Sequence, residues 1–283
     1  MMGQEHLAAI QAQPLVDMVG VADPAILDSS RTRGIPHFAD YRDMLKTVKP
    51  DGVIVATPPQ THVEIGIHCI EQGVPSLIEK PVSIDLVSAL RLEQVVASND
   101  VPVLIGHNRR HNSVNLAAKK AIDEGRLGDI LAVNTTWLRR KSDHYFADKW
   151  KTLAGGGGVI LINVVHDFDC LRMLCGEIEK VSALTSNKGR GFEVEDTGVV
   201  MLQFASGALG TMTISDATQA PWCWEYASGE DPRFARHDEN TFLICGNKAS
   251  LTLPSMYLWE NGNGFNRDNP LTRTRLFWEP NDS

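Results

Sequence analysis

The sequence predicts an α/β chain: a Rossmann-type, doubly wound parallel sheet over residues 1–112, then an α+β domain with a largely antiparallel open sheet over residues 113–283. Three observations carry this. Short apolar strands alternate with helical stretches through the first half, which is the pattern of βαβ units. Residues 52–57 (GVIVAT) form a near-continuous apolar run, as a parallel strand buried on both faces requires. Beyond residue 112 the alternation gives way to hairpin signals such as Ser206-Gly207 and Gly246-Asn247.

Residues 15–23 (LVDMVGVAD) read as a strand ending in an acid, and residues 41–47 as a short helix stopped by Pro50. After the strand at 52–57, residues 62–72 form a helix with Ile65, Cys69 and Ile70 on one side and Gly73 past its end. Residues 75–79 are another strand, 84–98 another helix and 101–106 the next strand. In the second half, 113–124 is helical and 130–139 a strand, and four glycines at 155–158 precede an amphipathic helix. Strands at 199–204 and 208–214, and again at 242–245 and 250–253, make two hairpins.

Composition narrows the class. At 283 residues, 43% hydrophobic and 22% charged, the chain is an ordinary globular one of one large or two medium domains. A net charge of −8 disfavours nucleic-acid binding, which needs a basic surface to displace phosphate counterions. No apolar run approaches the roughly 20 residues a bilayer needs, and no signal-peptide pattern opens the chain. The five cysteines lack paired spacing, so neither a disulfide framework nor a metal site is expected. A cytoplasmic location is the resulting expectation.

Open parallel sheets bind ligands beyond the carboxyl ends of their strands. Asp23 ends one strand, where an acid accepts hydrogen bonds from a ribose and repels a 2′-phosphate, or simply caps a turn. Thr57 and Pro58 end the next, with His62 in the first turn of the following helix, where N–H groups could face a phosphate. Glu79-Lys80-Pro81 breaks an apolar strand abruptly: the lysine either donates to a substrate hydroxyl or belongs to a surface ion pair. Ile162, His166 and Asp169 share a helical face, with Asn163 close by; His166 is either a core histidine or part of a polar cluster lining a cleft. HxxD supplies too few ligands for a metal.

Taken in order, Gly3-Gln4-Glu5-His6, Asp23, Ala56-Thr57-Pro58-Pro59 with His62, Glu79-Lys80-Pro81, Gly106-His107-Asn108-Arg109-Arg110, Trp150 with glycines 155–158, and His166 with Asp169 resemble the Gfo/Idh/MocA family of NAD(P)-dependent sugar and polyol oxidoreductases. The resemblance covers nearly the whole chain. It implies hydride transfer between NAD and a sugar, inositol or related polyol, with NADP less favoured because of Asp23. It implies Lys80 and His166 as catalytic residues. Gly3, Asp23, Thr57, Pro58, His62, Glu79 and Lys80 fall at cofactor-binding positions, and Arg109, Asn163 and Asp169 at substrate-binding ones. A homodimer or homotetramer built on the open sheet is implied as well. Asp143, His144, Trp222, Trp224 and Arg236 are candidates for the substrate lining.

Three departures stand out. The family has an Asp four residues before its histidine, where this chain has Ile162. Only Gly3 matches the glycine turn that cradles pyrophosphate, so the first strand is expected to be missing. The chain also stops before the family's closing helix and strand, so both ends are expected to be clipped. The first two departures raise an alternative reading, a ligand-binding or regulatory protein that keeps the fold without catalysis.

Overall fold

In the computed structural model, residues 2–25, 34–261 and 270–276 are described, and the chain divides into two compact units, Met1–Gly106 and His107–Ser283.

The first unit opens with helix α1, Met2–Gln11. Its parallel strands fall in two separate sheets among the described residues. Strand β1 (Val21–Ala22) pairs with β2 (His37–Phe38), and β3 (Val53–Val55), β4 (Ser76–Ile78) and β5 (Val103–Ile105) pair in that order. Helices α2 (Tyr41–Val48), α3 (His62–Glu71) and α4 (Leu86–Ala97) are the crossovers. Asp40 and Asp85 cap α2 and α4 through their side chains, supplying an acceptor that the first turn lacks. Helix α3 lies against the three-stranded sheet: Val63, Ile67, Cys69 and Ile70 join Val55, Ile78 and Leu92 in one core. Each such aliphatic side chain contributes roughly 1.5–3 kcal/mol when fully buried.

One strand is shorter than its sequence suggests. Residues 15–23 yield pairing only at Val21–Ala22, with Leu15 96% and Val16 51% exposed. An apolar run becomes a strand only where a neighbouring strand takes up its backbone groups, and among the described residues no strand pairs with 15–20.

The second unit is built on a mixed, mostly antiparallel sheet. Strand β6 (Ile130–Leu138) follows helix α5 (Ser113–Asp123), and β7 (Ile178–Ser186) follows helix α6 (Val165–Cys175). The others are β8 (Thr197–Phe204), β9 (Leu209–Ser215), β10 (Phe242–Gly246), β11 (Ala249–Leu253), β12 (Tyr257–Glu260) and β13 (Thr272–Arg275). Their order is β13-β12-β11-β10-β6-β9-β8-β7, antiparallel throughout except β6 against β9. A short helix α7, Trp224–Ser228, interrupts the loop before β10.

Period-two alternation explains which face is covered. Val133, Trp137, Val200, Leu202, Phe204, Met212, Ile214, Phe242 and Ile244 point inward and pack on α5 and α6. On the opposite face, Leu184, Val199, Met201, Leu209 and Leu243 are exposed by 39–81%. No described helix is long and apolar enough to cross a membrane.

Candidate active site

In the first unit, Thr57, Pro58, His62, Glu79 and Lys80 gather beyond the carboxyl ends of β3 and β4, whereas Asp23 and Gly3 lie elsewhere in the unit. Glu79 follows β4 directly and is buried; His6 of α1 lies 2.8 Å from its Oε1, and the Lys80 N–H donates to its Oε2 at 3.1 Å. Gly106, just past β5, lies against that carboxylate: a Cβ there would lie 3.2 Å from the Glu79 carboxyl carbon. On the other side, the buried ring of His62 has Nδ1 2.8 Å from the Pro81 carbonyl and Nε2 2.8 Å from the Thr57 carbonyl. His62 therefore joins the turn after β3 to the turn after β4. The Thr61 hydroxyl donates to Thr57 Oγ1 at 2.7 Å and lies 2.9 Å from the Pro58 carbonyl. Lys80, half-buried, stands in a turn whose two neighbours, Glu79 and the cis-linked Pro81, are each tied down.

Asp23 follows β1, and its Oδ1 accepts the Ala25 N–H at 2.8 Å. His37 Nε2 lies 2.8 Å from the Asp23 carbonyl oxygen. The acid is half-exposed, and its carboxylate can accept hydrogen bonds from hydroxyl groups. Gly3 sits in the first turn of α1 with nothing within 4 Å of its Cβ position.

In the second unit, His166 lies in the first turn of α6, preceded by a π-helical turn, Ile160–Val164. A π turn holds one more residue than an α turn, so Ile162 and Asn163 are rotated from the positions an unbroken helix would give them. Asn163 Oδ1 accepts from the buried ammonium of Lys141, whose Nζ also lies 4.1 Å from the Tyr145 ring centroid and 3.8 Å from Asp216. His166 meets His107 edge to face, with centroids 5.9 Å apart, and His107 Nδ1 is 3.9 Å from Asp169. Asp169 is held by both forks of Arg110, each at 2.7 Å. The polar cluster around the histidine is thus His107, Arg110, His166 and Asp169.

Arg109, which the resemblance places with the substrate, is deeply buried. Its three guanidinium nitrogens face Asp167 at 3.0 Å, Glu225 at 3.1 Å and Glu230 at 3.3 Å. Burial pushes the Asp167 carboxyl up to about 7, against the pull of Arg109 and with the push of Glu225. Glu225 is held below its ordinary range: desolvation opposes its charge, and Arg109 with neighbouring donors outweighs it. Among the lining candidates, Trp224 is fully buried and donates its indole N–H to Glu230 at 2.7 Å. Trp222 is 43% exposed and donates to Glu239, while Asp143, His144 and Arg236 are exposed. His107, Lys141 and the Glu225–Glu230 pair went unassigned as functional residues in the sequence because their partners are distant along it. The described residues hold no cluster of three or more metal-ligating side chains.

Comparison with known proteins gives the family. Residues 1–107 match the oxidoreductase family's NAD-binding Rossmann fold, and residues 115–252 match the GFO/IDH/MocA C-terminal domain. The chain belongs to the Gfo/Idh/MocA family. NAD is the cofactor of the matched fold. The rhizopine catabolism protein MocA of Rhizobium meliloti is 32% identical over 181 residues, covering 62% of this chain and 55% of that protein. Inositol 2-dehydrogenase 4 of Saccharopolyspora erythraea is 31% identical over 225 residues, covering 76% of this chain and 64% of that protein. The chain thus spans less than two thirds of either relative. Among solved structures, the WlbA dehydrogenase of Chromobacterium violaceum, in complex with NADH and UDP-GlcNAcA, superposes with a TM-score of 0.76 at 26% identity, covering 89% of this chain and 70% of that one.

Proposed function

We propose that the protein is an NAD-dependent oxidoreductase acting on a hydroxyl- or carbonyl-bearing carbon of a sugar, an inositol or a related polyol. The observation that carries this reading is the Glu79-Lys80-Pro81 turn, fixed by His6 and His62 at a strand end of a domain matched to an NAD-binding fold. Relatives named as inositol dehydrogenases support the substrate class.

NAD, when bound, supplies the hydride acceptor or donor. Asp23 would bind the ribose hydroxyls and disfavour a 2′-phosphate by its charge, while Gly3, Thr57 and Pro58 would line the approach of the dinucleotide. His62 and Glu79 orient the turns rather than present free groups, since their polar atoms are engaged within the unit. Lys80 would donate from Nζ to the oxygen of the reacting carbon. His166 would take the hydroxyl proton at a ring nitrogen and return it in the reverse direction. With Ile162 where the family carries an acid, that proton falls to the histidine. Asn163 can orient a hydroxyl through its amide but cannot serve as a base. Asp169, neutralised by Arg110, would fix the polar surroundings of the histidine.

The outward face of the eight-stranded sheet supports self-association: Leu184, Val199, Met201, Leu209 and Leu243 form an apolar surface that a second copy would cover.

The test is a panel of inositols, aldoses and anhydrosugars offered with NAD⁺, and the corresponding ketones offered with NADH, followed through NADH absorbance. Turnover of at least one polyhydroxylated compound is expected. A chain that binds NAD⁺ and turns over none of them in either direction would instead fit the non-catalytic reading.

A further inference from the structure

We infer that Glu195 is a positioning residue for His166, capping from a separate loop the start of the helical run that carries the histidine. The inference gives Glu195 a part in the reaction only through the role proposed for His166 above.

The first N–H groups of a helix have no partner within it. Here the run starts at Val159, and Glu195 answers it twice. The Val159 N–H points to the Glu195 carbonyl at 3.4 Å, and the Ile160 N–H donates to Glu195 Oε1 at 2.9 Å. A carboxylate also suits the positive end of the helix dipole.

Gly158 makes room for this carboxylate. It is buried with φ of 98°, and a Cβ built on it would lie 2.5 and 2.7 Å from the two carboxylate oxygens. The last glycine of the 155–158 block is therefore required both for its backbone angle and as the seat of Glu195. Glu193 grips the same block: its N–H donates to the Thr152 carbonyl at 3.2 Å, and its Oε2 accepts from the Ala154 N–H at 3.3 Å.

The capping loop is itself anchored. Buried Asp196 accepts the Arg190 N–H at 2.6 Å, and the Arg190 guanidinium donates to Asp216 and to the Lys141 carbonyl, each at 2.8 Å. Beyond the histidine, Asp167 and Asp169 are pinned by Arg109 and Arg110. His166 thus stands between two clamps, with the π turn at 160–164 between it and the upstream clamp. π turns are rare, occur mostly as single turns inside α-helices and are frequent at functional sites. Loosening the cap is expected to let that turn relax and to carry the His166 ring with it.

The experiment records ring ¹H–¹³C spectra of the histidine-labelled full chain, with His166 assigned through His166→Gln, for wild type, Glu195→Ala and Glu195→Gln. Glu195→Ala is expected to shift and broaden the His166 signal while His37 and His68 of the other unit stay in place. Glu195→Gln, which retains an acceptor for the Ile160 N–H, is expected to restore most of the wild-type position. Glu195→Asp is one methylene too short for full contact; its intermediate shift supplies the same readout if Glu195→Ala does not fold. An unmoved His166 signal in a folded Glu195→Ala or Glu195→Asp chain, or a displacement in Glu195→Gln as large as in Glu195→Ala, would overturn the inference. No turnover enters the readout, so failure of the hydride-transfer reading would appear in the polyol panel and not here.

Discussion

The buried ring of His62 lies 2.8 Å from the Pro81 carbonyl and, through its other nitrogen, 2.8 Å from the Thr57 carbonyl, so one side chain spans two strand-end turns of the first unit. Its removal takes away a ring N–H donor and the ring that packs between both carbonyls. His62→Ala is expected to destabilise the chain by about 1–3 kcal/mol, the cost of a buried polar group left unmade, and to weaken NAD⁺ binding. Urea unfolding monitored alongside calorimetric NAD⁺ titration checks both. Unchanged NAD⁺ affinity would detach His62 from the cofactor site.

Asp23 is proposed to set the choice of dinucleotide. Asp23→Ser is expected to weaken NAD⁺ binding about tenfold, near 1.4 kcal/mol, and to narrow the gap to NADP⁺ by removing a charge that would face a 2′-phosphate. Titration calorimetry with each dinucleotide, on wild type and variant, measures both. A wild type preferring NADP⁺ would contradict the assignment.

The Arg109 cluster sets a pH dependence. Burial raises the Asp167 carboxyl from its ordinary value near 3.8 to about 7. Between those values the folded chain holds a proton that the unfolded side chain has released. The associated stability is present in full below about pH 4 and is lost as pH rises through about 7. Asp167→Asn, neutral at every pH, is expected to flatten that slope in a series of thermal melts. Arg109→Met leaves buried Asp167 and partly buried Glu225 without their counter-charge and is expected to cost about 3–5 kcal/mol.

The apolar outer face of the second unit's sheet gives a prediction of assembly. Leu184→Asp combined with Met201→Asp is expected to lower the mass measured by size-exclusion light scattering without unfolding the chain, because both side chains are exposed by more than half. A wild type that runs as a monomer would remove the proposed interface.

Much of this was legible in the sequence because it was local. The buried strands β3 and β4 appear as apolar runs, and Glu79-Lys80-Pro81 is conspicuous because charge and proline end such a run abruptly. The second-unit hairpins are marked by their turns. What escaped was long-range or irregular. Strand β7 is exposed over most of its length and shows no alternation to read. Arg109 finds Glu225 and Glu230 more than a hundred residues away, a pairing that leaves no periodic trace. The π turn before His166 moves Asn163 toward Lys141, although the spacing alone suggested a regular helical face. Glu195, in a polar loop, gives no sign in the sequence that its carboxylate meets Gly158.

Lys80 and His166 are proposed to carry hydride transfer with NAD. The most direct test is a side-by-side measurement of NADH formation from the best substrate of the panel by wild type, Lys80→Met and His166→Gln, with NAD⁺ affinity determined for each. Each variant is expected to lose about a hundredfold or more in kcat, the scale of a general acid or base, while His166→Gln binds NAD⁺ as wild type does. Turnover near the wild-type rate in either variant would contradict these roles.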